Sequence, residues 1–289
     1  MNLTIFTIVR DTFRRFNGDK CWNSAIIISY FAFLCSVPVV SLFVFLTTKI
    51  VGTSEFALRS LNLFSDEFFA KLNPSFFQRL QNVSENISNL GWFGLIGTFV
   101  AASFLFSNLI HAINMIFRAK YERSFVYNRL IEYSIMFAMG IIMLISLAIT
   151  AIWTALHRTL QESTYVATHL NPRVIALVDN FLVQYLVPLA LTFLVLFTLY
   201  KFIPEVKVHT RYAALAAIVG AVLWEVFKRL FAFYIAHFSA IGIVLSRLVQ
   251  GTLTSIIFFL LWISFSLAIL LWGAELAAVL NERRNAREA

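Results

Sequence analysis

Glu225, Lys228 and Arg229 fall within Trp224-Glu225-Val226-Phe227-Lys228-Arg229, inside a long apolar run. At i,i+3 and i,i+4 spacing, a helix brings one carboxylate to both cations and leaves one net positive charge. Charges at membrane depth cost about 2.5–3.5 kcal/mol each on insertion scales, so they usually face the bundle interior or water and mark a path for polar substrates. The chemistry this offers is attraction of an anion. Alternatively, Lys228 and Arg229 snorkel to the outer headgroups with Glu225 merely bonded to them. A snorkelling cation, however, needs no buried acid partner.

A second polar set lies upstream. Ser107, His111, Asn114 and Arg118 recur at i, i+4, i+7 and i+11 along one helix face, with Ser103 extending it and Asn108 beside it. Such a face avoids lipid. It either lines a cavity or bonds neighbouring helices together, at about 0.6 kcal/mol per bond; His111 as a proton relay is a third reading. Catalytic signatures are missing from the sequence: there is no Gly-Lys-Ser/Thr phosphate loop, HExxH, Cys/His cluster or nucleophile elbow. The five histidines lack metal-ligand spacing. The expectation is no cofactor, no metal and no ATPase or other enzymatic activity of the chain's own.

The elements that hold these residues follow from composition. Of 289 residues, 60% are hydrophobic and 13% charged, against about 25% charged in soluble domains. About 20 apolar residues cross the hydrocarbon, and six stretches qualify: 24–46, 92–117, 130–153, 181–203, 213–238 and 253–274. We therefore expect an all-α polytopic membrane protein with six transmembrane helices, forming a single domain over 1–289. Entered from Ala213, the fifth span carries Glu225 about 18 Å and Arg229 about 24 Å deep, past the midplane. Pro38 and Pro188 are expected to interrupt the first and fourth spans. Cys21 and Cys35 suit neither a disulfide framework nor a metal site.

Orientation follows from basic residues counted on alternating sides. Arg10, Arg14, Arg15, Lys20, Arg118, Lys120, Arg123, Arg129, Lys201, Lys207, Arg211, Arg283, Arg284 and Arg287 make fourteen on one side; Lys49, Arg59, Lys71, Arg79, Arg158, Arg173 and Arg247 make seven on the other. The fourteen-residue side, with both termini, is expected in the cytoplasm. The net charge of +8 is then an orientation signal, and no nucleic-acid partner is expected.

Outside the spans, Phe6, Val9, Phe13 and Phe16 form a stripe with Arg10, Arg14 and Arg15 off it. This predicts an in-plane amphipathic helix within the cytoplasmic segment 1–23. Segment 52–90 carries Leu61, Phe64, Phe68 and Leu72, a break at Asn73-Pro74, then Phe77, Leu80, Val83, Ile87 and Leu90. Two external amphipathic helices are expected there. Residues 275–289 read as a cytoplasmic tail, with Glu275 at the interface near a loop arginine.

Leu199-Tyr200-Lys201-Phe202-Ile203-Pro204, then Lys207-Val208, Ala213-Ala214, Gly220-Ala221 and Trp224-Glu225, resemble the signature of the YihY/BrkB family of bacterial inner-membrane proteins. Tyr30, Ser36 and Pro38, the run Ala112-Ile113-Asn114-Met115-Ile116-Phe117-Arg118, and Trp272-Gly273-Ala274-Glu275 match as well. The chain departs from the family at Gln250-Gly251, where Tyr-Gly is common. The resemblance implies a multi-pass protein of the inner membrane and a link to lipid or lipopolysaccharide handling; the ribonuclease label once attached to the family is mistaken.

The leading expectation is a transporter or translocase of an amphipathic anionic substrate, a lipid or glycolipid, along a polar path lined by the second and fifth spans. Lys228, Arg229 and Arg118 would attract the anion, and Glu225 would hold the cations. The alternatives are a noncatalytic membrane scaffold that binds lipids or proteins and, third, an intramembrane enzyme. Membrane lipids are the expected partners, and a homo-oligomer is compatible with the sequence.

Overall fold

The computed structural model describes residues 2–51, 92–119, 129–142, 186–238 and 252–288, with Tyr127 and Ile145. Among these, every regular element is a helix: α1 (Asn2–Gly18), α2 (Cys21–Val51), α3 (Trp92–Ile116), α4 (129–142), α5 (Val187–Phe202), α6 (Thr210–Phe238) and α7 (Thr252–Glu288). Two of them, α3 and α7, are long and apolar enough to cross a membrane, with mean hydropathies of 1.6 and 2.4 over their apolar windows. The helices expected over 52–90 lie outside the described residues, as does most of the segment after 142 up to Leu186.

The longest helix, α7, is the hub. It packs on α1, α2 and α6 and touches α3 and α5. Its C-terminal half is lined with small residues. Ala274, Ala277 and Ala278 are buried against Ala213, Ala216, Ala217 and Ala221 of α6 and Tyr200 of α5, because small side chains let backbones approach and gain dispersion where lipid offers no hydrophobic drive. Tyr200 is fully buried and donates its hydroxyl to the Leu270 carbonyl at 2.8 Å. Ser29 and Ser264 join α2 to α7 at 2.8 Å.

Pro38 does not interrupt α2, which runs on to Val51. Pro188 stands near the start of the described part of α5, behind a Leu186 that is itself helical, and the chain before Leu186 lies outside the described residues. Residues 275–288, read as a tail, form the end of α7. This polar stretch folds because it has somewhere to pack: Leu276 and Val279 are buried, and Glu282 and Arg283 pair with Arg15 and Asp11 of α1.

The predicted stripe of α1 is divided by that packing. Thr12 and Phe16 are buried against the bundle, whereas Phe6, Val9 and Phe13 face outward. An outward apolar ridge beside Arg10 and Arg14 suits a helix bedded in a membrane interface.

Candidate functional site

In α6 the Glu225 carboxylate accepts from Lys228 Nζ at 2.9 Å and Arg229 Nη2 at 3.2 Å. Glu225 and Lys228 are largely covered, with side chains 12% and 21% exposed, whereas Arg229 is 53% exposed. Beside them Trp262 of α7 stacks on Phe227 at 5.0 Å and meets Phe231 at 5.0 Å and Trp224 at 5.5 Å. Around Arg229 the outward face of α6 is apolar: Val222, Val226, Leu230 and Phe233 are all exposed. A guanidinium thus emerges within a surface of the kind that meets acyl chains, steadied by a carboxylate beneath it.

The α3 polar face divides into separate environments. Ser103, Ser107 and Asn108 line a recess of about 280 Å³ with Arg129 and Tyr133 of α4, bordered by Phe99, Val100 and Phe104. His111 is exposed. Asn114 is buried, and its Oδ1 accepts the Glu205 N–H at 3.1 Å. Arg118 lines a different concavity, formed with α1 and α7. Nor are the two polar sets joined: α3 packs on α2 and touches α7, whereas α6 packs on α5 and α7, and no substantial contact between α3 and α6 exists among the described residues.

Asn114 instead helps to fix the connection between α5 and α6. Asn281 of α7 does the rest, accepting the His209 N–H and donating to the Lys207 carbonyl, both at 3.1 Å. Lys201 Nζ closes the turn on the Val208 carbonyl at 2.5 Å. The signature around Lys201 and Pro204 is therefore a loop whose backbone groups are satisfied by two buried asparagines, as buried polar backbone requires. The sequence carried no signal for Asn281, which looks like any polar residue of a tail.

Glu275 departs most from expectation. It is wholly buried and, among the described residues, pairs with no loop arginine and leaves Oε2 without a partner; its Oε1 accepts from the Cys21 thiol at 3.5 Å. It lies one residue past the predicted end of the sixth span, between α1 and α2, faced by Asp19, Cys21 and, more distantly, Arg15. Burial first, then the Asp19 carboxylate, push it up to about 8. Burial also pushes the Cys21 thiol up, which keeps it protonated and a donor.

A pH effect follows. Folded protein holds the Glu275 proton up to about pH 8, whereas an unfolded chain releases it near the ordinary 4.5. Stability is therefore full below about 4.5 and falls as pH rises toward 8. Thermal unfolding of purified protein should show a lower Tm at pH 8.5 than at pH 5, and Glu275→Gln should flatten that slope. An unchanged slope in the variant would assign the pH dependence elsewhere.

Comparisons with known proteins find a family of membrane proteins. A family model described as Virulence factor BrkB matches residues 12–289. A UPF0761 membrane protein of Acinetobacter baylyi is 27% identical over 278 residues, covering 96% of this chain and 63% of that protein. Others are those of Vibrio campbellii, 26% identical over 94% of this chain and 81% of that protein, and Mannheimia succiniciproducens, 26% over 93% and 88%. The chain thus spans less than two thirds of the Acinetobacter relative. No solved structure matches.

Proposed function

We propose that this chain, which belongs to the BrkB virulence-factor family of membrane proteins, is a six-span protein of the bacterial inner membrane that moves an amphipathic anionic lipid or glycolipid between leaflets. It has no ATPase or nuclease activity of its own, and both termini face the cytoplasm. The spans are those read from the sequence, and their orientation rests on the fourteen-to-seven distribution of basic residues.

One observation carries the reading: Arg229 emerges from an outward apolar stripe while Glu225 holds it and Lys228 from below. The helix continues nine residues beyond Arg229 to Phe238, about 13 Å of rise, so the guanidinium sits well short of the helix end. In a low-dielectric surround such a charge attracts a passing phosphate or carboxylate strongly. The headgroup would pass along α6 while its chains remain in lipid.

A second reading, a noncatalytic scaffold, draws on Asn114, whose side chain is engaged in helix and loop packing. Reconstitution separates the two. Proteoliposomes holding fluorescent phosphatidylglycerol should exchange it between leaflets faster than empty vesicles, and Arg229→Gln should slow exchange about tenfold or more at equal protein content, the scale of one lost charge-assisted contact. No exchange above empty vesicles for anionic or zwitterionic lipids would leave the scaffold as the function.

A further inference from the structure

The concavity between α1, α7 and the end of α3 is a second charged site, unrelated in position to Glu225. It encloses about 390 Å³, within the range of small-ligand sites. Four arginines line it, Arg14, Arg15, Arg118 and Arg283, against the acids Asp11, Asp19 and Glu282. Two of the arginines are engaged: Arg283 bonds Asp11, and Arg15 Nη2 bonds Glu282 at 2.6 Å. That pairing raises the Arg15 pKa and lowers that of Glu282, keeping both ions charged. Arg14 and Arg118 are exposed at its rim. Arg15 Nη1 is buried with no acceptor among the described residues, and such a donor costs free energy until something accepts from it.

The backbone supplies an independent observation. After α3 the chain turns through Arg118 at φ 51°, with the Arg118 N–H on the Met115 carbonyl and the Ala119 N–H on the Asn114 carbonyl, both at 3.0 Å. This is the Schellman closure, whose left-handed position glycine fills at least cost. An arginine there bears backbone strain and in return delivers a guanidinium to the pocket. On the other flank of α1 the outward Phe6, Val9 and Phe13 form an apolar ridge, and Phe13 meets Trp272 at 5.6 Å. Apolar ridge, tryptophan and arginines together mark the level of the headgroups.

We propose that this pocket binds a phosphate-bearing anion, with Arg14 and Arg118 as the incoming ligands and Arg15 Nη1 as the buried donor beneath. Planar guanidinium forks match phosphate oxygens two at a time, and Asp11 and Glu282 keep Arg283 and Arg15 in place. The source is a phospholipid headgroup or free phosphate.

The test measures binding and is independent of transport, so a chain that moves no lipid can still pass it. Full-length protein in detergent is titrated with dioctanoyl phosphatidic acid, dioctanoylglycerol and inorganic phosphate. Phosphatidic acid is expected to bind and the diacylglycerol to fail. Arg14→Gln and Arg118→Gly should each weaken binding roughly ten- to hundredfold, while Arg118→Gly, which relieves the backbone, keeps or raises the ligand-free Tm. Inorganic phosphate binding as tightly as the lipid assigns the site to a soluble anion; lipid binding alone assigns it to the headgroup. Diacylglycerol binding as well as phosphatidic acid, absence of binding by both phosphate probes, or wild-type binding in the Arg14→Gln/Arg118→Gly double variant would overturn the proposal.

Discussion

Gly273→Ala is expected to lower the amount of folded protein in the membrane severalfold, the largest effect for the smallest change in this chain. A Cβ at Gly273 would run into the Tyr200 hydroxyl oxygen and lie 2.9 Å from its ring carbon Cζ, far inside van der Waals contact. Tyr200 is fully buried and its hydroxyl is held on the Leu270 carbonyl, so it has nowhere to move without giving up that bond. Overpacking of this kind costs about 1–3 kcal/mol and sometimes more, which outweighs the ~1 kcal/mol helix preference of alanine over glycine. The same methyl at Gly97 meets nothing within 4 Å among the described residues, and Gly97→Ala should be neutral or stabilising by up to about that helix preference. Tyr200→Phe removes the nearest clashing atom and should partly restore Gly273→Ala, although alone it loses the Leu270 bond. Membrane abundance and Tm in detergent decide the matter. Wild-type values for Gly273→Ala would mean that α5 and α7 do not meet at this register.

The Glu225 set was legible because its spacing is local: a carboxylate three and four residues before two cations must meet them on any helix. Tyr200 and Gly273 stood in the sequence as signature letters, since the contact that joins them links residues distant along the chain. Glu275, Cys21 and Asp19 meet for the same long-range cause, and from sequence alone Glu275 looked like an ordinary interface acid. The final turns of α7 were hidden in another way. Asn-Glu-Arg-Arg has the composition of a solvated tail, and only α1, with its own arginines and acids, gives that stretch a surface to pack on. In α1 the apolar stripe was visible, but not that its Phe16 edge would face protein while Phe6 and Phe13 face outward; the helix is amphipathic on both counts, and period alone does not name the partner.

Loss of Glu225 should be far more damaging than loss of either cation it holds. Its carboxylate is the acceptor common to Lys228 at 2.9 Å and Arg229 at 3.2 Å, so Glu225→Gln strands both at once. Removing one partner of a fully buried pair costs roughly 3–5 kcal/mol, because a charge is left uncompensated in low dielectric. The loss here falls mainly on Lys228, which is 21% exposed; Arg229, at 53%, keeps much of its access to its surroundings, and the total should lie at or below the lower end of that range. Glu225→Gln should thus reduce membrane abundance and Tm clearly. Lys228→Gln leaves Glu225 paired with Arg229, and Arg229→Gln leaves it paired with Lys228, so both should accumulate near wild-type amounts. The decisive variant is the double change Glu225→Gln/Lys228→Met, which removes the buried charge together with its partner and replaces the lysine by an apolar chain of similar length. Replacing a buried ion pair by apolar groups is often neutral or stabilising, so the double variant should recover abundance that Glu225→Gln alone loses. If the cations merely reach the headgroups, the single Glu225 change is mild and the double change adds nothing. Abundance and Tm of the four variants, measured in one membrane preparation, would then be indistinguishable from wild type, and the buried carboxylate would have no part in holding Arg229 at the surface.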